Sequence, residues 1–252
     1  MIDLRGETAV VTGGSRGIGR AVCLMLARAG ADVIVGFHSD EAAAEHVVEQ
    51  VRAMGRRAVA VAGDAARRAT VERMLAAAAE NFSPATIFVG NAGVWKRAPI
   101  GEMTIEQWNE TLRVNLTSIY QLCHLAAGAL TTAGGGRIVL ISSTAGQRGE
   151  AFYSHYAASK GAIIALTKSL GAELGPSGIR VNAVAPGWVE TDMATAVFSD
   201  TARAEQIVKQ IPMGRIAVAE DIAGAVLFLV SDLAAHVQGE VINVNGGSVM
   251  CG

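Results

Sequence analysis

Thr8-Ala9-Val10-Val11-Thr12-Gly13-Gly14-Ser15-Arg16-Gly17-Ile18-Gly19 is the stretch whose reading decides the fold. Thr8–Val11 is a short β-branched run ending in glycines, the pattern of a buried strand. Over 17–29 the apolar residues Ile18, Val22 and Leu26 recur four apart and the run stops at Gly30, the pattern of a helix. A glycine-rich turn between strand and helix lets a phosphate approach the backbone, and the unpaired N–H groups of the helix N-terminus favour an anion. The spacing is G-x-x-x-G-x-G, not the G-x-G-x-x-G of the usual dinucleotide fingerprint. In this strand–turn–helix setting Thr12, Gly13, Ser15, Arg16, Gly17, Ile18 and Gly19 are expected to hold the phosphates of a dinucleotide.

The alternation continues along the chain. Strands are expected at 32–37, 58–62, 86–89, 137–142, 180–184 and 241–244. Helices are expected from Ser39 or Asp40 to Met54, over 71–80, over 104–109, and in a long run through Leu130. Another carries Tyr156 and ends near Gly175-Pro176, and a last one spans 220–230; between them lies an irregular helical insert over 191–210. Strict alternation implies right-handed crossovers and a parallel sheet with helices on both faces. Seven strands suit one doubly wound α/β domain over 1–252, since no repeat, low-complexity segment or linker divides the chain.

The end of the second strand reports on the cofactor. An acid about 20 positions beyond the glycine turn would hold the ribose 2′-hydroxyl of NAD. Here Phe37 holds that place, within Gly36-Phe37-His38-Ser39, and no acid comes before Asp40. Arg16 can instead face a 2′-phosphate, with Ser39 and His38 adding hydrogen bonds. NADP(H) is therefore expected over NAD(H), which stays the alternative.

Tyr156-Ala157-Ala158-Ser159-Lys160 puts a phenol and an ammonium one helical turn apart on one face. A phenol ionises near pH 10, and a fixed positive charge nearby moves it toward the working range. Asn115 lies inside an apolar helix, where its side chain needs a partner. Trp95 follows the turn Asn91-Ala92-Gly93 at the expected C-terminal edge of the sheet, where ligands bind, and reads as a pocket wall. His124 and His155 have no second ligand at metal spacing, so both read as structural and no metal is expected. Ser142, Ser154 and Ser159 read as loop or helix hydroxyls, and Met25, Met54 and Met74 as core.

Taken together these residues resemble the short-chain dehydrogenase/reductase family, and the likeness covers essentially the whole chain. Thr12 to Gly19, Gly63-Asp64, Asn91-Ala92-Gly93 and Asn115 carry it in the first half, and Ser143, Tyr156, Lys160, Pro186-Gly187 and Asn245-Gly246-Gly247 in the second. Ala185 to Met193 and Ala225 to Leu229 look most like the 3-oxoacyl-ACP reductase and acetoacetyl-CoA reductase branch. The resemblance implies a Rossmann-type domain with a cofactor half over about 1–115, a catalytic half over about 116–252 and a lid over about 188–212.

It also implies roles. Tyr156 is the general acid in reduction and the base in oxidation. Lys160 holds the nicotinamide ribose and lowers the Tyr156 pKa, Ser143 hydrogen-bonds the substrate carbonyl, and Asn115 supports a water relay. Asp64 meets the adenine with Ala65 beside it, and Asn91, Ala92 and Gly93 lie along the ribose. Pro186, Gly187, Val189 and Thr191 flank the nicotinamide, while Trp188 and Met193 join Trp95 in the substrate pocket. The implied reaction is NADPH-dependent reduction of a 3-oxoacyl ketone, ACP- or CoA-linked, to a secondary alcohol. The alternative is a sugar, polyol or other secondary-alcohol dehydrogenase. A third reading, a non-catalytic NADP(H) sensor, has no use for the intact Asn115, Ser143, Tyr156 and Lys160 set.

The chain also departs from the family pattern. Carrier-using relatives tend to place basic residues before the fifth strand and after the Tyr-bearing helix. Here 131–136 and 175–178 contain no lysine or arginine, which argues against docking of an acidic carrier. Gly90 stands where the family usually has a first asparagine, and Thr86 where it often has Asp.

Composition narrows the partners. A formal charge of −2 gives no reason to propose nucleic acid or an anionic membrane. With 51% hydrophobic and only 17% charged residues, the chain has apolar surface to cover, and the resemblance implies a homotetramer. Cys23, Cys123 and Cys251 are scattered and read as free thiols. The first residues lack a signal-peptide pattern and 222–230 is too short to span a bilayer, so a cytoplasmic protein is expected.

Overall fold

The computed structural model describes residues 2–251. Seven parallel strands form one sheet: β1 (Thr8–Val11), β2 (Asp32–Phe37), β3 (Ala58–Ala62), β4 (Ile87–Gly90), β5 (Gly136–Ile141), β6 (Ile179–Pro186) and β7 (Val241–Val244). Their order is β3-β2-β1-β4-β5-β6-β7. The strand order reverses between β1 and β4, which pair through Ala9 and Ile87, Val10 and Phe88, and Val11 and Val89. At such a switch point the loops leaving the two strands turn to opposite faces and open a crevice at the carboxyl edge.

Every residue of β1, β2 and β4 is buried, as expected for strands covered on both faces. One face packs α1 (Gly17–Arg28), α2 (Glu41–Ala53) and α10 (Ala219–Val230) through Val22, Leu26, Val47, Val51, Val226 and Leu229. The other packs α3 (Arg68–Asn81), α5 (Ser118–Ala133) and α7 (Ser154–Leu174) through Met74, Ile119, Leu122, Leu130 and Ile163. Each such fully buried side chain stabilises the fold by about 1.5–3 kcal/mol.

The short helix expected at 104–109 is α4 (Ile105–Leu112), started by a reciprocal capping box: Thr104 Oγ1 accepts the Gln107 N–H and Gln107 Oε1 accepts the Thr104 N–H. It does not stop before the long helix. A π-helical turn over Arg113–Thr117 joins α4 to α5, with the Ser118 N–H donating five residues back to Arg113 O. The insert expected over 191–210 resolves into a 3-10 turn (Asp192–Ala194), α8 (Thr195–Phe198) and α9 (Thr201–Lys209).

Of the three methionines read as core, Met74 is buried and Met25 packs half-buried on the α1 face. Met54 is exposed, because it follows the last turn of α2 and precedes the left-handed Gly55. No described helix is long and apolar enough to cross a membrane.

Candidate active site

The crevice at the switch point opens into a cavity of about 590 Å³, the size of a small-ligand site. At one end lies the glycine turn. Helix α1 begins behind Arg16, which makes no capping hydrogen bond, and its first turn holds no acid. Its N-terminal amides are thus left to an anion. Gly13, Ser15, Arg16, Gly17 and Ile18 line the cavity here. Gly19 does not; a Cβ there would stand 2.0 Å from the Gly13 carbonyl oxygen, so the turn can lie against α1 only if this residue is bare.

Thr12 is also behind the wall. Its Oγ1 accepts the N–H groups of Asn91 and Ala92 at 3.0 and 3.2 Å, while Asn91 Nδ2 donates to Thr12 O and Gly13 O at 3.0 and 2.9 Å. Thr12 and Gly19, expected among the cofactor contacts, instead shape the turn from outside the cavity. Asn91, Ala92 and Gly93 line it, the Asn91 amide being spent on the turn.

At the end of β2, His38, Ser39 and Asp40 line the cavity, and Asp64 and Ala65 line it after β3. Neither carboxylate is idle. Asp40 accepts the Ala43 N–H at 3.0 Å as the cap of α2. Asp64 accepts the Ala66 N–H at 3.0 Å and is bridged by Arg113. Burial works against its charge, but the Ala66 amide and Arg113 hold Asp64 below the usual carboxylate range.

Ser143, Tyr156 and Lys160 all line the cavity. Ser143 caps α6 (Thr144–Arg148), its Oγ accepting the Ala145 N–H at 3.1 Å. Helix α6 lies flush on α7, since a Cβ on Gly146 would be 2.5 Å from the Lys160 carbonyl carbon. Ser142 Oγ donates to Lys160 O at 2.8 Å and Lys160 Nζ donates to Ile141 O at 2.8 Å, tying α7 to the end of β5. The ammonium stands 5.8 Å from the centre of the Tyr156 ring.

Charge at this point departs from expectation. Burial pushes the Tyr156 phenol up to about 12; Ser143 opposes the rise and the Glu150 charge adds to it. Burial likewise brings Lys160 down to about 8. The expected lowering of Tyr156 by Lys160 does not show in the protein alone, where burial of the phenol dominates.

Asn115 does not border the cavity. It is fully buried in the π turn. Its Oδ1 accepts the Val94 N–H at 2.7 Å, and its Nδ2 donates to Val94 O at 3.0 Å and Ser159 Oγ at 3.1 Å. Ser159 Oγ in turn donates to Tyr156 O at 2.7 Å. Asn115 thus links the segment after β4 to α7; Ser159, read as an ordinary helix hydroxyl, is part of the link.

Past β6, Pro186, Gly187, Trp188, Val189, Thr191 and Met193 line the far wall. Val189 pairs with Ala217 through Trp188 O and the Glu190 N–H, so its own amide groups lie outside that bridge. Trp95 stacks on Tyr153 with centroids 4.4 Å apart, Trp188 meets Trp95 edge-on at 5.7 Å, and Phe198 meets Trp188 at 5.8 Å. Val197 and Ile207 of the insert, and Ile211 just beyond it, pack on the same aromatic group. Trp95 Nε1 donates to Glu150 Oε2 at 3.1 Å. Glu150, Arg148 and Tyr153 escaped the sequence reading; the signal available was an acid in the short run between Gly149 and Tyr156.

The phosphate end fits a dinucleotide: an uncapped twelve-residue helix and a turn with no room for a Cβ at Gly19 open on one cavity with the phenol. Comparison with known proteins agrees. A family model described as enoyl-(acyl carrier protein) reductase matches residues 13–249. The 3-oxoacyl-[acyl-carrier-protein] reductase FabG of Escherichia coli K12 is 39% identical over 249 residues, 99% of this chain and 100% of that one. L-rhamnose 1-dehydrogenase (NAD(P)(+)) of Azotobacter vinelandii is 38% identical over 245 residues, 96% of each. A Beutenbergia cavernae structure with bound NADP at low occupancy, provisionally described as an NAD(P)-dependent gluconate 5-dehydrogenase, superposes with a TM-score of 0.91. It is 39% identical and 98% of each chain is covered.

The chain belongs to the short-chain dehydrogenase/reductase family. It is an NAD(P)-dependent oxidoreductase acting on CH–OH groups.

Proposed function

We propose that the chain interconverts a ketone and a secondary alcohol with NADP(H), with Tyr156 as the group that gives and takes the proton. The observation that carries this is the convergence of Tyr156, Ser143 and Lys160 on the cavity that also contains the open N-terminus of α1. The nicotinamide supplies or accepts a hydride at the carbon bearing the oxygen. As the carbonyl is reduced, negative charge grows on its oxygen, where Ser143 and Tyr156 donate. The phenol, held protonated by burial, is the proton source at neutral pH. Lys160 orients the ribose side and Asn115 holds Val94 and, through Ser159, α7.

NADP(H) is favoured because Phe37 stands at the end of β2 where an acid would meet a ribose hydroxyl, the nearest acid, Asp40, caps α2 through one oxygen, and Arg16, His38 and Ser39 border the cavity. The residues proposed for the cofactor are those lining the cavity from Gly13 to Ile18, together with His38, Ser39, Asp64, Ala65, Asn91 to Gly93, Pro186, Gly187, Val189 and Thr191.

For the acceptor, likeness to FabG supports a 3-oxoacyl thioester. Equal likeness to sugar dehydrogenases, with no basic residue over 131–136 or 175–178, supports a small hydroxylated substrate. The first experiment is oxidation of NADPH against NADH by acetoacetyl-CoA, and reduction of NADP+ by sugars and polyols. Tyr156→Phe is expected to lower kcat at least about a thousandfold with cofactor binding retained; turnover within tenfold of wild type would refute the assignment. Arg16→Ala should narrow the NADPH preference at least about tenfold, that is about 1.4 kcal/mol.

A further inference from the structure

Five acids border the cavity, Asp40, Asp64, Glu110, Glu150 and Asp192, and Glu150 is the one of them hydrogen-bonded to Trp95. It follows α6, whose cap is Ser143, and precedes α7, which carries Tyr156. Trp95 Nε1 fixes one carboxylate oxygen at 3.1 Å. The other, Oε1, has no protein hydrogen-bond partner among the described residues, and Glu150 lines the cavity. The carboxylate is close enough to Tyr156 to raise its pKa, and burial raises its own, with Trp95, Arg148 and Arg203 opposing. A carboxylate is an acceptor with several lone pairs and needs donors. Beside it stand the aromatic rings of Trp95, Tyr153 and Trp188, and Arg148 also borders the cavity.

From this arrangement we infer a hydroxyl-binding subsite at Glu150, which makes the substrate a polyhydroxylated compound, a sugar or sugar acid, in preference to an acyl thioester. Hydroxyl groups would donate to Glu150 Oε1 while the C–H faces of the same molecule rest on the aromatic wall, as amphipathic rings allow. An acyl chain in that place would cover a carboxylate without pairing it, which is costly. Sites built to pair a substrate hydroxyl discriminate against analogues without one by roughly 10⁴ or more when every partner is buried. The inference rests on the proposed reaction only for its turnover assay.

Two readouts test it. The first compares kcat/KM for NADP+ reduction by D-gluconate, L-rhamnose, D-glucose and D-sorbitol with that for ethyl 3-hydroxybutyrate, an acyl-type alcohol with no further hydroxyl. At least one polyol should be preferred, and Glu150→Gln should cut the polyol-to-ester ratio at least tenfold, mainly through KM. The second uses Tyr156→Phe protein saturated with NADP+ and follows tryptophan fluorescence while the same four compounds are added. Quenching should saturate, and adding Glu150→Gln should raise the Kd at least tenfold. Trp95→Phe, which keeps a ring but removes the N–H that fixes Glu150, should raise the polyol KM severalfold and serves if Glu150→Gln fails to fold.

Preference for the ester or for acetoacetyl-CoA over all four, or an equal loss for both classes in Glu150→Gln, overturns the inference. So does turnover without polyol-dependent quenching. Quenching that depends on Glu150, in a wild-type protein that transfers no hydride to any acceptor, would instead refute the reaction and leave the subsite standing.

Discussion

At the glycine-turn end the cavity wall is largely backbone, with amides at the start of α1 and a turn pinned from behind by Thr12, Asn91 and the bare Cα of Gly19. At the opposite end it is side chain, Trp95, Trp188 and Glu150, with Phe198 packed on Trp188. The first surface is specified by conformation, so few residue types satisfy it and it is shared by proteins with different substrates. The second is specified by volume and hydrogen bonding, which many residue sets can meet. Relatives named for 3-oxoacyl groups and for rhamnose match this chain at 39% and 38% identity, so overall likeness does not separate the two substrate classes.

Substitutions at the two ends can break that contrast. The largest effect is expected of Gly19→Val, whose Cβ would collide with the Gly13 carbonyl. NADPH affinity should fall at least about a thousandfold, about 4 kcal/mol, by fluorescence titration; a weaker effect would mean that the turn has freedom not evident in its packing.

Lys160 joins the two ends, and its cost can be read from pH. Burial brings it from 10.5 to about 8. The folded chain thus binds fewer protons than the unfolded chain between about pH 8 and 10.5, and this group's contribution to stability rises with pH across that window. Lys160→Met should therefore be more stable than wild type at pH 7 by up to about 3 kcal/mol, with activity lost. The gain in Tm should fade as pH approaches 10.5; a gain independent of pH would assign it to packing.

The smallest effect is expected of Phe198→Ala, which removes one edge contact on Trp188. Substrate KM should change a few-fold, roughly 1 kcal/mol, with NADPH affinity within twofold. Equal changes in both would show that the two surfaces are coupled.

The same division governs what could be read in the sequence. Strand β7 falls at the expected 241–244 and the sheet has its expected seven parallel strands, because short β-branched runs bounded by turn residues read as strands. Ser143, Tyr156 and Lys160 come together because their spacing reflects helix α7 and the end of β5. The π turn at Arg113–Thr117 was invisible, since its residues suit an α-helix equally and only the buried amide of Asn115 marks it. Met54 was misplaced by one position at a helix end. Glu150 and Tyr153 lie where the chain has no period, just before the α7 helix, and burial of the Tyr156 phenol depends on contacts that no spacing encodes.

The bridge between Val189 and Ala217 has a consequence for descent as well as for catalysis. It fastens the two ends of the insert containing α8 and α9 to each other, so the segment between them is a loop whose closure is already made. Lengthening such a loop is cheap, about 0.6 kcal/mol for each doubling. A lineage can therefore exchange or extend this cassette without disturbing the sheet that holds its ends, and one scaffold can change its diet while keeping its cofactor.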